Sequence, residues 1–338
     1  MSSIHPLVSI IIPTYNASKR ITKTLETIIN QDYENIEIIL VDDVSTDNTV
    51  EVCQKFLENS NRKFQVLKRT VNGRQSAARN TGMKAATGKY IMFSDHDDLA
   101  EKNFVSTMCK EAEVKHADVV FCGFKHYDEQ TNTYREEPVM LTKTYSQPQD
   151  YIIKVWAAGK ISFHSMWNAI FRKSFLNEHN LHFTERCYFE EDTEFMLKAL
   201  TVSSCTSFVR ECLYTHTYFK EQQTQAQNLV RNGQNHYRQS SLSRLRSGRY
   251  IIRRIHDRRV KNYAISFQLP DALLKEFTML AKFHDKENYE RMLKFLRHKK
   301  VRELLLSSAK VFFRKAELFL KSIMLIYFPN FYYWLRSR

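Results

Sequence analysis

This chain of 338 residues is poor in glycine and proline, with seven and six. The seven glycines, at 73, 82, 88, 123, 159, 233 and 248, complete neither GxGxxG nor GxxxxGK[ST]. A Rossmann dehydrogenase or a P-loop NTPase needs one of those phosphate cradles, so both classes are argued against. The six cysteines show no CxxC pair and no metal-ligand spacing. Buried free thiols in a reducing compartment are the reading, not a disulfide frame. No run of eighteen apolar residues marks a membrane span. No charged n-region with an apolar h-region marks a secretory leader. Acidic residues are scarce in the last third. Residues 229–338 hold 25 Lys and Arg against 8 Asp and Glu, a net of +17. The whole chain is +14, which leaves residues 1–228 at −3. The first part has the acidity of a metal and substrate domain; the second suits an anionic surface.

What is present is concentrated in Tyr90-Ile91-Met92-Phe93-Ser94-Asp95-His96-Asp97-Asp98. An apolar run, read as a buried strand, leads into three carboxylates within four positions. Such charges repel, and desolvating them is costly. A hard divalent cation at the strand's end resolves the conflict and leaves open positions for substrate phosphates. An exposed acidic turn is the plainer alternative for this segment alone.

The surrounding residues alternate strand and helix signals. Val8-Ser9-Ile10-Ile11-Ile12 is β-branched and ends at Pro13; Ile21, Leu25, Ile28 and Ile29 follow at helical spacing. Ile36 to Val41 is a second strand ending in Asp42-Asp43, and a helix is expected from about Thr49 to Asn59. Phe64–Leu67 is a weaker strand, Ser76–Ala86 a helix, and Val119–Phe124 a further strand. Strands separated by such helices imply right-handed crossovers and a mostly parallel central sheet with flanking helices. Ligands in such sheets bind outside the carboxyl ends of the strands, where Asp43 and Asp97 both fall.

These segments resemble the inverting glycosyltransferases of family 2, with their A-type nucleotide-sugar-binding fold. The likeness rests on Val8-Ser9-Ile10-Ile11-Ile12-Pro13-Thr14-Tyr15-Asn16, Ile39-Leu40-Val41-Asp42-Asp43, Ser76-Ala77-Ala78-Arg79-Asn80-Thr81-Gly82, Gly88-Lys89-Tyr90-Ile91-Met92-Phe93, Asp95-His96-Asp97-Asp98 and Glu191-Asp192. It covers roughly residues 5–220. One departure is Val44, where the family usually has glycine. The resemblance implies a role for each matching residue. Pro13 and Tyr15 contact the nucleotide base, Tyr15 by stacking. Asp43 accepts a hydrogen bond from it, typically from uracil N3–H. Arg74 contacts base or phosphate. Asp95 and Asp97 form the DxD motif, Asp97 binding Mn²⁺ or Mg²⁺ and Asp95 the ribose or the metal shell. His216 is a further metal or diphosphate contact. Asp192 is the catalytic base. Packing, capping or a solvated charge competes with each of these roles, most strongly for Arg74 and His216.

The chemistry accounts for these residue types. Breaking a sugar–diphosphate bond builds negative charge that a cation offsets. A sugar hydroxyl is weakly acidic, so a carboxylate must take its proton as it attacks. The implied partners are a UDP-sugar and a glycan or lipid-linked glycan acceptor, in capsule, lipopolysaccharide or other surface polysaccharide synthesis. No nucleic acid is expected. Trp156, Phe163, Trp167 and Phe171 are candidates for an acceptor groove or for core. The division expected is a catalytic domain over 1–228 and a basic, mainly helical region over 229–338. In the latter, an apolar stretch from Leu304 to Phe328 carries interspersed Lys and Arg and ends near Tyr332-Tyr333-Trp334. That pattern suits the cytoplasmic face of an anionic membrane, or helices packing on the catalytic domain or on a partner subunit. A second reading is a non-catalytic basic module for nucleic acid or lipid on a degenerate transferase fold, kept open by the arginines of 238–259.

Overall fold

The structure, a computed structural model, describes residues 5–139, 144–151, 165–185, 187, 190–220, 236–282, 284, 286–308 and 316–337. Trp156 and Phe163 lie outside the described residues.

The sheet begins where the β-branched runs are. β1 (Val8–Thr14) and β2 (Ile36–Asp42) are buried at every position, as strands covered on both faces must be. β1 pairs in parallel with β2 on one side and with β4 (Tyr90–Phe93) on the other. β3 (Lys63–Lys68) extends the parallel block beyond β2. The order β3-β2-β1-β4 reverses direction about β1, so the carboxyl ends of β1, β2 and β4 open onto one crevice.

Beyond β4 the sheet is mixed. β8 (Ala169–Arg172) lies antiparallel between β4 and β6 (Val119–Asp128). β9 (Thr206–Tyr218) runs parallel to β6, β7 (Thr133–Glu137) forms a hairpin with β6, and β5 (Leu99–Ala100) closes on β9. The parallel character expected from sequence thus describes the first half of an α/β sheet that is mixed overall. β8 and β9 are absent from the sequence reading for a physical reason. β8 has four residues, and β9 carries the charged pair Arg210-Glu211 where its register against β6 shifts.

α1 (Ile21–Ile29), α2 (Thr49–Glu58), α3 (Arg74–Ala85) and α4 (Phe104–Lys115) flank the sheet. α3 packs so closely on β1 that a Cβ at Gly82 would stand 2.4 Å from Ile11 Cγ2. Its small residues Ala77, Ala78 and Gly82 make that approach feasible, and Arg79 and Asn80 are buried with them.

At the opposite end of the strands Glu37 is a buried anchor. Its carboxylate accepts from Ser9 Oγ at 2.6 Å, Thr87 N–H at 2.6 Å and Gly88 N–H at 3.1 Å, with Lys63 Nζ at 3.2 Å. Burial alone would raise its pKa, but the Ser9 and Thr87 hydrogen bonds, with Lys63, lower it to about 2. A depressed carboxylate contributes stability that is present above its unfolded pKa and is lost as pH falls through the folded one. The shift corresponds to about 3 kcal/mol. Glu37→Gln is therefore expected to destabilise the protein by about 2–3 kcal/mol at pH 7. It should also flatten the acid limb of stability from about pH 4.5 down to 2, checked by denaturant titration across pH.

The chain forms two compact units that interleave in sequence. One comprises Met1–Pro148, Phe163–Tyr188 and Val202–Gln234; the other comprises Gln149–Ser162, Phe189–Thr201 and Asn235–Arg338. The division expected at 228/229 lies near the last of these breaks, but two earlier segments join the second unit. That unit is helical: α5 (His236–Arg254), α6 (Arg258–Tyr263), α7 (Leu269–Lys282), α8 (Lys286–Leu296), α9 (Lys299–Leu306), α10 (Ala316–Tyr327) and α11 (Pro329–Arg336). Leu274, Phe277, Leu280, Tyr289, Leu305, Leu318, Leu325 and Tyr332 form its core. Among the described residues of the apolar stretch 304–328, Leu305, Leu318 and Leu325 therefore pack inward. No helix among the described residues is long and apolar enough to cross a membrane.

Candidate active site

The crevice is lined from three strand ends. Tyr15 follows β1 and is 37% exposed, while Pro13 is buried within the strand. Asn16 takes a left-handed backbone, φ 49, and its side chain accepts from Thr46 N–H at 2.8 Å, tying the β1 loop to the β2 loop. Asp43, just past β2, is 2% exposed. Its Oδ1 accepts from Arg69 Nε at 2.8 Å, and Gly73 N–H reaches both carboxylate oxygens at 3.1 Å. Arg69 in turn donates to Ala77 O and Thr81 Oγ1 on α3. The carboxylate is thus held in one orientation. Val44 follows with φ 69, a conformation that a β-branched residue adopts only under strain and glycine adopts freely.

The acidic segment past β4 divides into distinct roles. Asp95 pairs with buried Arg79 of α3 at 2.8 Å, and its N–H donates to Tyr214 Oη at 3.0 Å. His96 Nδ1–H donates to Pro13 O at 3.3 Å, so the middle residue of the motif fastens the loop to β1. Asp98 is fully buried and accepts from Thr217 N–H of β9 at 2.8 Å. Burial pushes its carboxyl well above the usual range, and Asp97 and Asp95 push it further. Asp97 is half-buried and lines a cleft of about 340 Å³ with Lys19, Arg20, Lys23, Tyr127 and Glu129 among its neighbours. Its carboxyl is raised by burial first, with His96 and His216 opposing and Asp95 adding to the rise.

His216 stands on β9 in register with His126 of β6. Its ring stacks on Trp167 at 5.4 Å, and Trp167 stacks on Tyr214 at 4.9 Å. Burial lowers its pKa while Asp95 and Asp97 oppose that shift. Its Nδ1 is buried without a hydrogen-bond partner. Trp167 and Phe171 are core residues, 7% and 0% exposed, and that packing explains them.

The carboxylates suit a hard cation: Asp97 is held where its charge is repelled by Asp95 and poorly solvated. Among the described residues no three His, Cys, Asp or Glu side chains are arranged to hold a metal by themselves, so Asp95, Asp97 and His216 do not form a closed three-ligand site. A divalent ion bound here would need water or substrate phosphate for its remaining ligands, the usual mode for Mg²⁺.

Arg74, half-buried, opens α3 with φ 60. It adjoins Gly73, whose N–H holds Asp43. Asp192 belongs to the other unit, in the first turn of the helix Glu191–Val202, and accepts from Thr193 N–H at 2.7 Å. That helix is braced by buried Glu194, which pairs with Lys198 at 2.6 Å and Arg246 at 2.7 Å.

The family model described as Glycosyl transferase family 2 matches residues 9–179. Glycosyltransferase GlyG of Streptococcus pneumoniae is 31% identical over 223 residues, 62% of this chain and 70% of that protein. The uncharacterized glycosyltransferase EpsJ of Bacillus subtilis is 32% identical over 211 residues, 62% of this chain and 61% of its own length. In structure, residues 1–349 of Staphylococcus aureus TarS, solved in complex with UDP, superpose with a TM-score of 0.62 at 21% identity, covering 80% of each chain. A mannosyltransferase from Pyrobaculum calidifontis, solved with GDP-Man and Mn²⁺, covers 97% of this chain and 89% of its own with a TM-score of 0.55 at 16% identity. These likenesses establish the A-type fold.

Proposed function

The chain belongs to glycosyl transferase family 2, and from that premise we propose that it moves a hexosyl or N-acetylhexosaminyl group from a UDP-sugar to a hydroxyl of a glycan or lipid-linked glycan. The product belongs to capsule, lipopolysaccharide or another surface polysaccharide. The observation that carries this reading is the gathering of Tyr15, Asp43, Asp95 and Asp97 at the carboxyl ends of β1, β2 and β4. Relatives named for glycosyl transfer support it, as does TarS, a poly(ribitol-phosphate) β-N-acetylglucosaminyltransferase solved with UDP and with UDP-GlcNAc.

In this reading Tyr15 stacks on the base beside Pro13. Asp43 accepts the base N3–H, its second oxygen offering the lone pair that Arg69 leaves unused. Arg74 meets base or phosphate, and Asp95 the ribose or metal shell. Asp97 would hold Mn²⁺ or Mg²⁺, with Asp95 and His216 as further contacts, and the ion would supply charge to offset that building on the departing diphosphate. Asp192 takes the proton of the acceptor hydroxyl as its oxygen attacks the anomeric carbon. The new C–O bond forms opposite the breaking one, UDP leaves with that electron pair, and the configuration inverts. Work at the cytoplasmic face of the membrane, as a peripheral protein, fits the basic C-terminal region and a lipid-linked acceptor.

A screen of nucleotide-sugars with Mn²⁺ or Mg²⁺, following nucleotide release with and without acceptor glycans, tests the whole reading. Release from no UDP-sugar under any of these conditions counts against it. The base pocket is tested separately. Asp43→Ala is expected to weaken UDP binding by about 1.5–3 kcal/mol, one charge-assisted hydrogen bond, measured by calorimetry. Equal affinity of the wild type for UDP, GDP and ADP would contradict a uracil-reading Asp43.

A further inference from the structure

Among the described residues twelve large apolar side chains are markedly exposed, and six of them fall within residues 320–335: Leu320, Tyr327, Phe328, Phe331, Trp334 and Leu335. Phe328, at 61%, is among the most exposed on the chain. Phe328, at the N-cap of α11, and Phe331 and Leu335 within it fall at helical spacing, and Trp334 stacks on Phe331 at 5.6 Å. Tyr332 points the other way: it is fully buried in the core, its hydroxyl 2.7 Å from Thr278 Oγ1. The short helix is therefore amphipathic in an uncommon sense, with a packed apolar face and an outward aromatic one. Contiguous exposed aromatics of this kind mark a binding surface.

The neighbourhood identifies the partner. Arg302 lies over the Tyr327 ring at 5.7 Å, joining the aromatic face to α9. Arg297, Lys299, Lys300 and Arg302 are all exposed around the start of that helix, with Glu303 the acidic residue beside them. Protein interfaces are depleted in lysine at their centres, whereas an anionic leaflet rewards Lys and Arg beside Trp, Tyr and Phe. We infer that the α10–α11 corner is a monotopic membrane anchor, in which Phe328, Phe331 and Trp334 enter the headgroup–acyl boundary of an anionic leaflet while the basic residues of 297–302 meet its phosphates. This deepens the peripheral-membrane part of the proposed function and rests on it.

The test uses full-length protein and vesicles of phosphatidylcholine, with and without phosphatidylglycerol. Wild type should sediment with the anionic vesicles and show a blue-shifted emission that Trp334→Phe abolishes. The triple variant Phe328→Ser/Phe331→Ser/Trp334→Ser should bind those vesicles roughly 10-fold more weakly, with UDP affinity unchanged. Lys299→Glu/Lys300→Glu should lose the preference for phosphatidylglycerol. Wild type that ignores anionic vesicles overturns both the anchor and the membrane reading. Vesicle binding with no Trp334-dependent shift and no effect of the triple variant overturns the anchor alone. A self-association of the wild type that the triple variant abolishes, without vesicle binding, would assign the face to a second copy and overturn the anchor.

Discussion

Asp97→Ala is expected to lower sugar transfer by roughly 10³-fold or more, the scale on which removing a charge-stabilising group slows reactions of this type. The same substitution should leave the fold intact. Asp98, not Asp97, fastens the segment to β9 through Thr217, and His96 fastens it to β1 through Pro13. Burial and Asp95 raise the Asp97 carboxyl in the free protein. A carboxyl raised on folding costs stability once pH exceeds its folded pKa, so replacing it should hold or raise the melting temperature at neutral pH. Activity lost together with an unchanged or higher melting temperature separates function from folding. EDTA should reproduce the loss in the wild type, and Mn²⁺ or Mg²⁺ should restore it. Asp95→Ala is expected to be next in severity, and it additionally leaves the guanidinium of Arg79 buried without its carboxylate partner. Full activity of the wild type in metal-free buffer would remove the metal from the mechanism.

Asp192→Asn is expected to reduce turnover by roughly 10²-fold or more while donor affinity persists. The amide preserves shape and can still accept from Thr193 N–H, so the helix start is kept while the base is lost. Single-turnover rates together with UDP-sugar binding separate the two quantities. A helix-capping role alone would show as a small fall in stability with near-normal turnover, and that result would move the base to another residue.

The parts of the site visible in the sequence were those written as uninterrupted patterns. β1, β2 and β4 are apolar runs that end in Pro13-Thr14-Tyr15, Asp42-Asp43 and Asp95-His96-Asp97, so strand ends and carboxylates appear together. The residues that hold those carboxylates were not visible. Arg69 meets Asp43 across 26 positions and Arg79 meets Asp95 across 16. An isolated arginine in a sequence reads as a solvated charge, and only the fold brings it to a partner. Arg79 did carry a signal: it sits among Ser76, Ala77, Ala78 and Gly82, the small residues of a helix face that has to bury. The second half of the sheet was obscured because β8 is short and β9 changes register at Gly123. The apolar pattern after Leu304 was legible as helix but not as inward or outward, since α10 and α11 use both faces.

The interleaving of the two units bears on how such enzymes diversify. A crossover joining the first 234 residues of one relative to the C-terminal region of another would look clean along the sequence. It would nonetheless pair Phe189–Thr201, which carries Asp192, and Gln149–Ser162 with a foreign C-terminal region. The Glu194–Arg246 pair would be split between parents, so the buried carboxylate would keep Lys198 but lose its arginine partner unless the donor supplied one at the same place. Productive exchanges should therefore inherit residues 149–162, 189–201 and 235–338 together, as three linked pieces rather than as a tail.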